Sequence, residues 1–86
     1  MALVHTVTTE RGVVYTDQYC RVEEVNASKT EMSFDVYIYF TEQDAKSGMP
    51  CHRSERYFGV YDLYGDNPWV QAYTFLKQMW PESVDA

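Results

Sequence analysis

The sequence predicts a small α+β fold in which about four or five antiparallel strands, joined by hairpins, carry one C-terminal amphipathic helix on one face. Two observations lead to this prediction. Over most of the chain between about residue 2 and residue 63, apolar side chains recur at every second position, which is typical of strands with one buried face. From about residue 68 to residue 80 they recur at steps of three and four, which is typical of a helix. The 86 residues fit a single domain, residues 1–86.

The N-terminal part of the chain is predicted to form hairpins. Leu3 to Thr8 and Val13 to Thr16 are rich in β-branched and apolar residues, and Gly12 between them can adopt a positive φ at low cost. A third strand pattern runs from about Gln18 to Val25. Turn-forming residues at 26–29 then join it to the next strand.

The clearest alternation in the sequence predicts a half-buried strand. Its apolar positions are Met32, Phe34, Val36, Ile38 and Phe40. Polar and aromatic residues occupy the alternate positions, among them Tyr37 and Tyr39. Because successive side chains of a strand point to opposite faces, we expect the apolar set in the core and the two tyrosines on the other face.

A surface loop and a further strand are predicted next. Gln43 to Pro50 shows no periodicity and holds loop-forming residues, so we expect it to lie at the surface. The strand begins near Arg53 and ends near Leu63. Two apolar residues on one of its faces oppose two tyrosines on the other: Phe58 and Val60 against Tyr57 and Tyr61. Gly59, in mid-strand, indicates a bulge or a close approach of another backbone or side chain.

The helix prediction rests on its two ends and on one apolar stripe. Asn67 can cap the helix, and Pro68 suits its first position because that N–H has no helical partner. The stripe consists of Trp69, Ala72, Tyr73, Leu76, Met79 and Trp80. Of these, we expect Trp69, Tyr73, Leu76 and Trp80 to seat the helix on the sheet. Pro81 stops the helix, and residues 82–86 form a short acidic tail.

Tyrosines carry the main functional signal of the sequence. Tyr37, Tyr39, Tyr57 and Tyr61 are predicted to lie outside a single-sided core, where they would form a contact surface for another protein. Two other arrangements stay open: both sheet faces are covered, or the tyrosines line a solvated face with exposed hydroxyls. Because aromatic residues occur on both faces of at least two strands, a small β-sandwich or barrel with a helix is the alternative fold.

Composition argues against several classes of partner. Thirteen acidic residues against seven basic ones leave a formal charge of −6, so we expect no nucleic-acid partner. No stretch approaches the roughly 18–20 consecutive apolar residues of a membrane span, so we expect no membrane partner. Met1 to Glu10 lacks the basic and apolar segments of a secretion signal. We therefore expect synthesis in a cytoplasm, with Cys20 and Cys51 as free thiols.

No catalytic residue, metal site or cofactor site is predicted. Cys51 and His52 are neighbours whose side chains point to opposite sides of an extended chain, so they cannot act as a nucleophile and its base. The neighbouring carboxylates of Glu23 and Glu24 diverge in the same way. The sequence has no Cys-x-x-Cys or His-x-x-x-His spacing and no Gly-rich phosphate loop. We expect a protein that is not an enzyme, and a small enzyme that uses Cys51 stays as a further hypothesis.

Several segments together resemble a known group of proteins. They are Tyr19-x-Arg21-Val22-Glu23-x-Val25, Tyr61-Asp62-Leu63, Asn67-Pro68-x-x-Gln71-Ala72-Tyr73-x-x-Leu76-Lys77 and Val84-Asp85, with the opening Met-Ala-Leu and Gly12. In these segments the chain is similar to small proteins encoded among the virion and tail genes of tailed bacteriophages. The resemblance spans nearly the whole chain, and the segment from Asn67 to Lys77 is its most specific part. The chain departs from it in the longer 43–50 loop, at Cys51-His52 and at Trp80-Pro81.

The resemblance implies a non-enzymatic structural protein of a phage virion, part of the tail, the baseplate or the head decoration, made in the host bacterial cytoplasm. Its partners would be other virion proteins or copies of itself, in an oligomer of many copies. No catalytic residues come with the resemblance. The alternative is a phage-encoded small acidic inhibitor of a host defence or replication protein, because small acidic proteins can occupy basic grooves.

Overall fold

A computed structural model describes residues 2–86 and confirms the α+β prediction. Its strands are β1 (Leu3–Thr8), β2 (Val14–Ala27), β3 (Glu31–Tyr39), β4 (Arg53–Val60) and β5 (Val84–Asp85), and its helices are α1 (Glu42–Lys46) and α2 (Pro68–Met79). All neighbouring strands are antiparallel, in the order β4-β3-β2-β1-β5. The described residues thus form one open sheet with β4 and β5 at its edges, rather than the sandwich or barrel of the alternative prediction.

Strand β2 is continuous over a segment that the sequence divides into two strands. It pairs with β1 on one side and with β3 on the other, and it carries one extra residue against each of them. Asp17 and Glu24 lie at these two places, with φ angles of 51° and 56°. An extra residue with positive φ bends a strand, so both places are β-bulges. The bulges interrupt the alternation of side chains, which is why β2 reads as a weaker pattern in the sequence.

The core lies between α2 and one face of the sheet. Strand β3 supplies its centre, because Phe34, Val36 and Ile38 are fully buried, as the alternation predicts. The other buried hydrophobic residues of this cluster are Leu3, Val7, Cys20, Val22, Met32, Ala72, Tyr73 and Leu76. The second face of the sheet has no helix α2 against it, and we call it the open face.

Helix α2 begins and ends close to the predicted residues. The side chain of Asn67 accepts a hydrogen bond from the N–H of Val70 at 3.0 Å, and Pro68 occupies the first turn. Its buried residues are Ala72, Tyr73 and Leu76. The N–H of Trp80 still bonds to the carbonyl of Leu76, at 2.7 Å, before Pro81 stops the helix.

A hydrogen bond from β2 to α2 ties the helix to the sheet. The N–H of Val22 donates to the hydroxyl of Tyr73 at 3.0 Å. Pairing of β1 with β2 reaches only to Cys20, so β1 does not extend alongside Val22. A buried backbone donor needs a partner, and the Tyr73 hydroxyl takes the place that a neighbouring strand would have.

Two segments predicted as irregular contain regular structure. The loop from Gln43 to Pro50 includes most of α1, which Thr41 caps by accepting a hydrogen bond from the N–H of Asp44 at 3.1 Å. The tail at 82–86 contains β5, which pairs with the start of β1. Neither element has enough residues to show a period in the sequence.

Two apolar residues predicted in the core are about half exposed. Phe40 follows the last residue of β3 and is 50% exposed, and its ring stacks on His52 at 4.0 Å between centroids. Trp69 is 44% exposed, so it is less buried than Tyr73 and Leu76, which are also expected to seat the helix. It lies in the first turn of α2, where the helix passes the edge of β2 that β1 leaves uncovered.

The tyrosine of β4 lies on the helix side of the sheet, and not on the exposed face where the contact surface was predicted. Tyr57 points toward α2, with its ring 5.8 Å from that of Phe34 and 6.2 Å from that of Trp80. Gly59 shares this face, and a Cβ built on it would lie 3.3 Å from a ring carbon of Phe75. The close approach predicted at Gly59 is therefore present, and it leaves Phe58 on the open face.

Candidate interaction surface

The open face is built by β2, β3 and β4, whose registers fix which side chains meet. Tyr19 lies directly across from Tyr39, and Arg21 lies across from Tyr37. Directly opposed residues have Cβ atoms about 4.5–5.5 Å apart, so these side chains touch. The result is a strip of three half-buried tyrosines beside one arginine.

Two tyrosines of the strip, Tyr37 and Tyr39, have a raised pKa. The pKa of Tyr37 is raised, mainly by the negative charge of Glu24 and then by partial burial. The pKa of Tyr39 is raised mainly by partial burial. Phenols that stay neutral offer an aromatic surface with a hydroxyl that can donate or accept, and this is a common composition of protein interfaces.

A charged zone follows the tyrosines along the same face. Arg56 donates two hydrogen bonds to the carboxylate of Asp35, at 2.8 and 3.2 Å, which lowers the pKa of that carboxyl. Arg21 pairs with Glu23 at 2.8 Å. Each of these carboxylates therefore has an arginine beside it, and the zone is mixed in sign rather than uniformly acidic.

The third part of the open face is apolar and lies on β4. Phe58 is 72% exposed and Val60 is 82% exposed. Phe58 sits across from Ser33, so no large side chain on β3 covers it. A shallow groove beside these residues is lined by Glu31, Met32, Phe58, Gly59, Val60 and Phe75. Neighbouring apolar side chains with this much exposure mark a place where another molecule can bind.

The four tyrosines predicted as a contact surface are divided between two places. Tyr37 and Tyr39 lie on the open face as expected. Tyr57 and Tyr61 are half-buried and pack against the hydrophobic core on the helix side. The surface therefore keeps two of the predicted residues, and whether they bind a partner stays a prediction.

Sequence reasoning missed three members of the open face. Tyr19 could have been found, because it alternates with Cys20 in the same register as Arg21. Phe58 and Val60 could not, because β4 has aromatic residues in both of its registers and only the packing of Phe75 over Gly59 decides between them.

A second groove lies at the edge of the open face. Its lining residues are Tyr19, Arg21, Val22, Glu23, Trp69 and Tyr73. It forms where β2 continues past β1 and where the first turn of α2 approaches that free stretch. The exposed ring of Trp69 thus extends the aromatic strip around the edge of the sheet.

The helix side of β4 carries a polar cluster beside the core. The hydroxyl of Tyr57 donates to Glu55, which also accepts a hydrogen bond from Arg53 at 2.9 Å. Arg53 reaches Glu10 as well, at 3.2 Å. Burial and the nearby carboxylate of Glu55 raise the pKa of Tyr57. The polar groups of this cluster are hydrogen-bonded to one another, and the cluster lies at the side of the core.

Both histidines and Cys20 make contacts that support the fold. His52 bonds through Nε2 to the buried amide oxygen of Gln18 at 2.7 Å, and His5 stacks on Trp80 at 4.3 Å. Cys20 donates its S–H to the carbonyl of Gln18 at 3.6 Å, and burial raises its pKa to about 12. Among residues 2–86, no three His, Cys, Asp or Glu side chains converge as metal ligands would.

Comparison of the chain with protein-family models, with curated proteins and with solved structures finds no match. Within the described residues, neither helix is both long and apolar enough to cross a lipid bilayer. The function is therefore inferred from the open face and from the resemblance described above.

Proposed function

We propose that this chain is a non-enzymatic structural protein of a tailed-phage virion and that it acts through protein–protein contacts. The observation that carries the proposal is the open face, on which Tyr19, Tyr37 and Tyr39 are followed by exposed Phe58 and Val60. Tyr, Phe and Arg are enriched in the cores of protein interfaces. An open sheet face of this composition is suited to dock against a flat protein surface.

The phage setting of the proposal comes from the sequence resemblance, above all from the segment between Asn67 and Lys77. In the structure this segment is α2 with its cap, and it supplies Tyr73 and Leu76 to the core. The part of the chain that carries the resemblance is thus the part that holds the sheet in shape. The tail, the baseplate and the head decoration are the proposed locations, and the chain is made in the host cytoplasm.

The inhibitor alternative predicts a different distribution of charge. A protein that imitates nucleic acid needs a track of unpaired carboxylates. On the open face, however, Glu23 and Asp35 are each paired with an arginine. This mixed zone favours docking against a protein surface of mixed charge over imitation of nucleic acid.

The experiment is a double substitution on the tyrosine strip, Tyr37→Ser with Tyr39→Ser, followed by measurement of folding and of incorporation into particles. We expect a melting temperature close to that of the parent and a large drop in incorporation. The matched control is Tyr64→Ser, because Tyr64 is 94% exposed and lies in a loop away from the strip. Normal incorporation of the double variant would refute the proposed use of the open face. A large loss of melting temperature would assign both tyrosines to the core instead.

A further inference from the structure

Strand β4 is an edge strand with free backbone groups. The N–H of Tyr61 bonds to the carbonyl of Thr30, and the β3–β4 register continues regularly from Glu31 and Val60. In an antiparallel pair, the backbone N–H and C=O groups of successive residues alternate: those of one residue bond to the neighbouring strand, and those of the next point away from it. Odd-numbered residues of β4 therefore bond to β3. The outward N–H and C=O groups belong to Ser54, Arg56, Phe58 and Val60, with no strand beside them in residues 2–86.

The two edges of the sheet differ in how they are protected. Edge strands are usually shortened, bulged or supplied with Pro or unpaired charged residues, which prevents pairing with another chain. The edge at β5 has only two residues. In contrast, β4 runs for eight residues with no register shift and without Pro. Its charged residues are paired within the chain, Arg53 with Glu55 and Arg56 with Asp35. On the open face, β4 also carries the most exposed apolar residues of any strand, Phe58 and Val60.

We propose that β4 pairs antiparallel with β4 of a second copy of this chain, about a two-fold axis at Tyr57, to form one continuous sheet. This inference rests on the proposed function, for which it names one partner. A two-fold axis at this residue places Ser54 across from Val60 of the partner copy and Arg56 across from Phe58 of the partner copy. All four outward residues of β4 then find hydrogen-bonding partners.

Charge and register select this axis over its neighbours. An axis at Arg56 would set two guanidinium groups directly opposite each other, which is unfavourable. An axis at Phe58 would leave Ser54 beyond the end of the partner's strand. Pairing about Tyr57 instead places a guanidinium over an aromatic ring, which is a favourable contact, while Arg56 keeps its bond to Asp35.

Two substitutions at one position test both the dimer and its register, with sedimentation velocity as the measurement over a wide concentration range. Phe58→Lys sets a lysine against Arg56 at two symmetric places, so we expect dimerisation to weaken by at least about tenfold. Phe58→Glu sets a carboxylate there, so we expect the dimer to be retained. Tyr64→Lys makes the same change of aromatic to cation off the strand, and we expect it to leave the dimer intact. Loss of the dimer in both Phe58 variants would overturn the register.

Hydrogen exchange at single amides gives an independent readout in the unmodified protein. The amides of Arg56 and Phe58 point outward, so their protection is expected to rise with protein concentration. The amide of Tyr57 bonds to β3, so its protection is expected at all concentrations. A chain that stays monomeric at every concentration, with Arg56 and Phe58 unprotected, would overturn the proposal and leave this edge to a strand of a different protein.

The two proposals can fail separately. If the chain is monomeric in solution but still enters particles through the open face, the pairing of β4 is wrong and the proposed function stands. If the chain dimerises through β4 and is absent from particles, the dimer stands and the virion role is wrong.

Discussion

Replacement of Tyr73 by Phe tests the contribution of its hydroxyl, which bonds α2 to β2. The substitution removes only the hydroxyl, which accepts the N–H of Val22 at 3.0 Å. Val22 is 3% exposed and Tyr73 is 5% exposed, so water cannot readily take the place of the lost acceptor. Leaving one buried backbone donor without its partner costs about 1–3 kcal/mol.

Thermal and urea unfolding measure this cost. For a domain of this size, each 1 kcal/mol shifts the melting temperature by about 4–8 °C, so we expect a decrease of about 4–24 °C. Tyr64→Phe is the matched control, since it removes the same hydroxyl from a side chain that is 94% exposed. We expect the control to change the free energy of unfolding by less than about 0.5 kcal/mol.

Hydrogen exchange adds a residue-specific check, because the amide of Val22 should exchange faster in Tyr73→Phe. Equal stability of Tyr73→Phe and Tyr64→Phe, with unchanged exchange at Val22, would refute the reasoning. The Tyr73 hydroxyl would then contribute nothing measurable to holding the helix on the sheet.

Three further predictions follow from burial, backbone angle and pKa direction. Leu76→Ala should lower the free energy of unfolding by about 2–5 kcal/mol, because Leu76 is fully buried. Trp69→Ala should lower it by less, because Trp69 is 44% exposed. A larger loss for Trp69→Ala than for Leu76→Ala in urea unfolding would contradict the burial of these two side chains. Glu24→Gly should stabilise the protein by about 0.5–1 kcal/mol, because Glu24 has a φ of 56°, a backbone conformation that Gly adopts at lower cost. A lower free energy of unfolding in urea would contradict backbone strain at this residue. Burial lowers the folded pKa of His5 and His52 below 6.5, so the free energy of unfolding should fall as pH drops through and below 6.5. The double variant His5→Gln with His52→Gln should reduce the pH dependence of the urea midpoint in that range. An unchanged pH dependence would contradict the assignment to these histidines.

The sequence was sufficient for the elements with a long, clean period. Alternation from Met32 to Ile38 predicted β3 and its buried face, because each apolar residue of this strand meets the core. The Asn67-Pro68 pair predicted the start of α2, because capping is a local interaction between neighbouring residues.

The rest of the fold depends on contacts between distant residues. The facing of β4 is set by Phe75 against Gly59, and no local pattern in β4 contains this information. Strand β5 exists only through its pairing with β1, since two residues have no period. Likewise the bulges at Asp17 and Glu24 change which side chains of β2 share a face, so the open face could be predicted only in part.

The copy number of this chain in purified particles, determined by quantitative mass spectrometry, tests the central claim most directly. A structural protein that docks through the open face should be present at a constant number of copies relative to the other virion proteins. Its absence from particles, together with recovery on a single host protein early in infection, would contradict the account.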